Sequence, residues 1–172
     1  MAVSEAALAG RYGRVRDQLA ELFVKTADPI ARMATACAVL HHKMPHYFWT
    51  GFYRVQDGQL VVGPYQGPVA CAVLPGPGGV CWAAVLQQAA LVVADVHAFA
   101  GHVACDARSQ SEIVVPVRDR SGAVVAVLDV DSDQPAAFGE VDRAGLEAIV
   151  ALIHADPSPG VSGGAHHRSN PG

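Results

Sequence analysis

Two tight-turn signals, Asp57-Gly58 and the stretch "DRSG" at 119–122, each sit between runs of aromatic and β-branched residues. An Asp-Gly pair in that setting marks a two-residue hairpin, because both central positions need a left-handed backbone that few other residues adopt. "YFWTGFYRV" therefore pairs with "LVVGPY", and "SEIVVPVRD" with "AVVAVLDVDS". Most of the middle of the chain is committed in this way to antiparallel sheet.

Helical spacing flanks the hairpins. Leu8, Tyr12, Val15, Leu19, Leu22 and Phe23 recur every three or four residues, as on one helix face. A second helix starts with Asp28 as N-cap and Pro29 in the first helical position, and Pro45 stops it. Its apolar face is Ile30, Met33, Ala34, Cys37 and Leu40. Residues 67–79 carry enough Gly and Pro to predict an exposed loop, followed by a short helix "VCWAAVLQQA", the strand "LVVADV" and a long loop over 97–110. Leu146, Ile149, Val150 and Ile153 predict a closing helix over 140–155 that packs on the sheet. The fold class is α+β, with a central, mostly antiparallel sheet and the N- and C-terminal helices on one face.

Of the 172 residues, 51% are apolar and 16% charged, which fits one compact domain over residues 1–156. The stretch 157–172 loses all apolar pattern and is expected to be a disordered tail. A net charge of −4 and twelve scattered Lys and Arg leave no basic stripe for a nucleic acid. Apolar runs such as "AALVVA" are too short to span a membrane, and the N-terminus lacks a secretory apolar core, so the expected compartment is the cytoplasm. Thiols stay reduced there, which makes the four cysteines structural, metal-binding or catalytic.

Cys37 lies on the apolar face of the second helix and reads as a small core hydrophobe. Cys71, Cys81 and Cys105 instead bunch in Gly-rich connections. Cys81 opens a helix whose N-terminal N–H groups favour thiolate, and Cys105 has His102 and Arg108 three residues away on either side. Along "LDVDS" side chains alternate, so Asp129 and Asp131 project from one side about 7 Å apart. Two carboxyls that close resist ionising together, although a solvated strand end would explain them too. The "DRSG" hairpin brings Glu112 beside them. Trp49 and Tyr53, four apart on a strand, share a face, either as ordinary core or as the wall of a pocket. Cys71, Cys81, His97, His102 and Cys105 are all chemically able to bind zinc, but only His102 and Cys105 approach the usual ligand spacing, so no metal is expected.

The segments "GPYQGPVAC", "GVC", "DVHAFAGHVACDARSQSEIVVPV", "VLDVDS" and "AGLEAIV" closely resemble the free methionine-R-sulfoxide reductases, which are single GAF domains. The resemblance runs from about Tyr47 to Ile153. It implies reduction of free methionine-(R)-sulfoxide, with Cys105 as nucleophile and Cys71 and Cys81 as recycling partners. Glu112, Asp129 and Asp131 would hold the sulfoxide oxygen or the amino group, and Trp49 and Tyr53 the sulfur and methyl end. Thiolate attack on a sulfoxide would leave Cys105 as a sulfenic acid, which condenses with a neighbouring thiol, Cys71 before Cys81, into a disulfide that thioredoxin reopens. No cofactor is implied. GAF domains often pair through their terminal helices, which admits a homodimer. A GAF domain can instead be a small-ligand or redox sensor without turnover. Trp82 departs from the resemblance, since a glycine usually follows the cysteine at this position.

Overall fold

The computed structural model describes residues 4–74, 76–101 and 106–156. Cys105, His102 and the segment 157–172 lie outside them. Helix α1 (Glu5–Phe23) is capped by Ser4, whose hydroxyl accepts from the Ala7 N–H. Helix α2 (Pro29–Lys43) begins as the Asp-Pro pair predicts, with Asp28 Oδ1 accepting from the Ile30 and Ala31 N–H groups at 2.8 and 3.4 Å. Strands β1 (Trp49–Gln56) and β2 (Gln59–Gln66) turn at Asp57 and Gly58, with φ of 49° and 73°. A two-residue β3 (Val73–Leu74), helix α3 (Gly79–Gln87), β4 (Leu91–Val93) and a 3-10 turn at Val96–Ala98 follow. The second hairpin, β5 (Ser111–Arg118) and β6 (Val124–Ser132), leads into α4 (Glu140–Val150).

The six strands form one sheet in the order β3-β2-β1-β6-β5-β4, and every neighbouring pair is antiparallel. Strand alternation divides its side chains between two cores. Phe52, Ile113, Val115, Val117, Ala126, Leu128 and Val130 face α1, α2 and α4. The opposite face presents Trp49, Tyr53, Val114 and Val127 to α3 and the loops around it. Side chains sealed from water, such as Leu19, Leu40, Phe52 and Leu146, each stabilise the fold by about 1.5–3 kcal/mol. Among the described residues, no helix is long and apolar enough to cross a membrane.

Four sequence expectations change. The stretch 67–79 is not wholly an exposed loop: Val73 and Leu74 pair with Val61 and Leu60 as an edge strand, a two-residue pairing too short for any periodicity to reveal. On α1, Leu22 is exposed, as are Ile30 and Ala34 on α2, whose buried stripe instead takes in Ala36 and Arg32. Helix α4 ends at Val150 rather than 155, because Arg32 draws the following backbone out of the helix. Its guanidinium donates to the carbonyls of Leu152, Ile153 and Ala155, and also to Phe23 and Thr26. Gly139 occupies the N-cap of α4, and the Asp142 carboxylate reaches back to its N–H at 2.9 Å, supplying the acid that the cap itself lacks. Cys37 is the core residue expected: its thiol donates to the Pro64 carbonyl at 3.2 Å, and burial pushes its pKa up to about 12.

Candidate active site

A cleft lies on the α3 side of the sheet, where β1, β6 and β5 run side by side. Odd-numbered positions of β1 and β6 point into it, so Trp49 and Tyr53 from β1 meet Asp129 and Asp131 from β6. Glu112 enters from β5 in register with Asp131, and Val114 pairs with Asp129 on the same face. Helix α3 closes the cleft from above with Gly79, Val80 and Cys81 of its first turn.

At the floor, Cys81 Sγ and carboxylate oxygens of Glu112 and Asp129 lie within 4.8 Å of one another, all three residues buried. Charge there is held down by desolvation. Burial first, then the neighbouring Asp129 and Asp131, raises Glu112 well above the usual carboxylate range, and burial with Asp131 does the same to Asp129. Glu112 and the Cys81 thiol both donate toward Asp129. Asp131, hydrogen-bonded by Ser109, is raised by burial to about 6. The cluster thus carries an anion and at least one acid at neutral pH. One buried oxygen, Asp129 Oδ1, has no hydrogen-bond partner. The solvated-strand-end explanation does not hold for Asp129, which is only 7% exposed, whereas Asp131, next to the end of β6, is half-buried.

Aromatic residues make the wall. The rings of Trp49 and Tyr53 stack with centroids 5.8 Å apart, and Tyr65 stacks on the Trp49 ring at 5.4 Å. The polar ends of this wall hold the loop that carries Cys71. Tyr53 Oη donates to the Cys71 carbonyl and Trp49 Nε1 to the Pro68 carbonyl, each at 3.2 Å. The wall exists because position 51 has no side chain: a Cβ there would stand 2.3 Å from the Trp49 ring and 2.5 Å from Tyr65 Cβ.

Seven of the eight sequence-predicted site residues are described. Six of them, Trp49, Tyr53, Cys81, Glu112, Asp129 and Asp131, line one cleft, and Cys71 stands on the loop at its edge. The eighth, Cys105, lies outside the described residues. Two electrostatic expectations are corrected. Cys81 does sit in the first turn of α3, yet its thiol is raised well above its ordinary value, because burial and three carboxylates outweigh the helix terminus. Arg108 is occupied by Asp106, which accepts from its Nε and Nη2 at 3.0 and 2.7 Å, and its guanidinium covers the Phe48 ring at 4.5 Å. That pairing holds Asp106 down at about 2. Trp82 donates from Nε1 to the Leu74 carbonyl at 3.4 Å, tying α3 to β3.

Phe48, Pro68, Val69, Ala70, Leu74, Gly78, Asp106 and Ser109 complete the lining and were not singled out from sequence. Ser109 had a usable signal, since it stands two residues before β5 on the strand-entry side of Glu112. The rest reach the cleft only through loop packing.

An antiparallel sheet with helices on one face and a ligand cleft under a short helix on the other defines a GAF domain. The GAF domain family model matches residues 17–155. Protein YtsP of Bacillus subtilis is 45% identical over 77% of this chain and 82% of its own. The free methionine-R-sulfoxide reductase of Escherichia coli is 41% identical over 72% of this chain and 74% of its own. Among solved structures, free methionine-R-sulfoxide reductase from Neisseria meningitidis in complex with its substrate superposes with a TM-score of 0.82 at 36% identity, covering 90% of each chain. The chain belongs to the GAF domain family, in its free methionine-R-sulfoxide reductase branch.

Proposed function

We propose that residues 1–156 form a single catalytic domain that reduces free L-methionine-(R)-sulfoxide to methionine in the cytoplasm. One observation carries this reading: Cys81, Glu112, Asp129 and Asp131 converge beneath the Trp49–Tyr53 stack in a single cleft. The Escherichia coli and Neisseria meningitidis relatives, both free methionine-R-sulfoxide reductases by name, support it.

The chemistry follows from the charge states. A sulfoxide sulfur accepts a nucleophile once its oxygen is protonated, and the Glu112–Asp129 pair keeps a proton at neutral pH to supply it. Asp131 supplies the anion for the substrate ammonium. The N–H groups at the start of α3 suit the substrate carboxylate. A methionine sulfoxide inside a protein has amides in place of both charges and gains neither contact. The methyl and sulfur end lies against the apolar faces of Trp49 and Tyr53.

Cys105 acts as the nucleophile. Its thiolate attacks sulfur, the sulfoxide oxygen passes to it as a sulfenic acid, and methionine departs. Cys71 then attacks the sulfenic sulfur, forming a disulfide and releasing water. In sum, one sulfoxide and two thiols give one sulfide, one disulfide and water. An external dithiol, thioredoxin, reopens the disulfide by exchange. Cys81, a neutral buried thiol beside Asp129, is the reserve partner.

The test supplies racemic free methionine sulfoxide with dithiothreitol and follows methionine. Consumption that stops near half of the racemate and is abolished by Cys105→Ser is the expected result. No methionine from protein with intact thiols would make the domain a sensor instead.

A further inference from the structure

We propose that the cleft is also a metal-binding site: Cys81 Sγ and carboxylate oxygens of Glu112 and Asp129 bind one Zn2+ or Co2+ ion, which blocks turnover. The inhibitory half of this proposal rests on the reductase reading; the binding half does not.

Three elements bring three donors together, α3 with the thiol, β5 and β6 with one carboxylate each, and these donors lie within 4.8 Å of one another. Bonds of about 2.0–2.3 Å in a tetrahedral zinc site put neighbouring donors about 3.5 Å apart, so a closing of roughly 1 Å by side-chain rotation completes the geometry. Solvent supplies the fourth ligand, as in open zinc sites.

A second observation points to a cation independently of that clustering. Asp129 is 7% exposed, and its Oδ1 has no hydrogen-bond partner. An unmet carboxylate oxygen in a dry cleft is costly, and a metal ion satisfies it directly. The donor set chooses the metal. One sulfur with two carboxylates suits a borderline ion such as Zn2+ or Co2+, whereas Mg2+ and Ca2+ take oxygen ligands alone. Ligand spacing along the chain argues against a metal, since only His102 and Cys105 approach the usual separation. The assembled site draws on residues far apart in sequence, which no spacing rule detects.

Binding displaces to solvent the Cys81 proton and the proton held by the Glu112–Asp129 pair; it moves no electrons, so the ion is not a redox partner. It occupies the Glu112–Asp129 pair whose proton the sulfoxide oxygen needs. Metal and substrate therefore compete.

The test begins with the full chain, reduced with a phosphine so that no added thiol competes for metal, and titrated with Co2+. A near-ultraviolet thiolate-to-cobalt absorption and intense visible bands should saturate at one ion per chain. Cys81→Ser should remove the thiolate band while circular dichroism remains native. Asp129→Asn and Glu112→Gln should each weaken binding about tenfold or more, and Cys37→Ser should leave it unchanged. In a single-turnover assay, where the protein's own thiols supply the electrons, one equivalent of Zn2+ should slow methionine formation about tenfold. Excess substrate or a chelator should restore it. Absence of the cobalt band, or its survival in folded Cys81→Ser, overturns the site. A normal band with unaltered turnover overturns the inhibition. A normal band in a chain that forms no methionine even without metal leaves the site standing and removes the reductase reading.

Discussion

Asp131 on β6 stands directly opposite Glu112 on β5 in the antiparallel ladder, and Asp129 lies two residues along on the same face. Three carboxyls are thereby grouped where water is largely excluded. Their environments separate them: Asp131 titrates at about 6 under the Ser109 hydrogen bond, while Glu112 and Asp129 are raised well above the usual range. At pH 7 the first is largely an anion, while burial favours the protonated form of the other two. If the domain is the proposed reductase, one short hairpin supplies both the charge that holds the ammonium and the acid that activates the sulfoxide.

The pH profile should report Asp131. Below about pH 6 it is protonated and loses its hold on the substrate ammonium, so kcat/KM should climb between pH 5 and 7 with a midpoint near 6. Asp131→Asn should lower kcat/KM and remove that limb. Stability runs the other way. A carboxyl whose folded pKa lies above its unfolded value binds more protons when folded, so stability falls as pH rises from about 4 to 6. Asp131→Asn should therefore stabilise the fold at pH 7 by about 1–3 kcal/mol and have little effect at pH 4, as thermal unfolding at the two pH values would measure. A profile that is flat in both proteins would remove Asp131 from substrate binding.

Gly51→Ala tests the aromatic wall. The new methyl would overlap the Trp49 ring and Tyr65 Cβ, which cannot both retreat within a stacked trio. We expect a loss of about 1–3 kcal/mol from overpacking, together with a KM raised about tenfold as Trp49 leaves Tyr53. Denaturant titration and steady-state kinetics with dithiothreitol read the two effects. An unchanged KM would return Trp49 to a purely structural role.

Arg32→Met should destabilise the domain by about 3–5 kcal/mol, because it leaves five carbonyls from two segments, 23–26 and 152–155, without their shared donor. Arg32→Lys keeps the charge but not the planar fork and should recover only part of the loss. Urea unfolding monitored by tryptophan fluorescence would rank the three proteins. Equal stabilities would mean that water can substitute for the guanidinium.

Local rules carried a good share of this protein. Turn chemistry located both hairpins, Asp28-Pro29 opened α2, and strand alternation already put Asp129 with Asp131 and Trp49 with Tyr53 on shared faces. These features were legible because each depends on a backbone repeat or a single dihedral preference, which neighbours along the chain suffice to specify. Residues read as one surface went astray where burial was decided elsewhere: Ile30 and Ala34 turned outward, and the charged Arg32 turned inward to meet the end of α4.

What the amino-acid sequence determined by itself is the antiparallel framework and the residue types that face its cleft. Tertiary structure alone decided their chemistry. Cys81 illustrates the difference, for its place in a helix's first turn predicts an acidic thiol, whereas burial, and then the carboxylates that α3 lays it against, make it a reluctant one. The physical reason is range: periodicity acts between residues a few positions apart, but desolvation and Coulomb energy depend on distances through space, which exist only once the sheet and α3 have packed together.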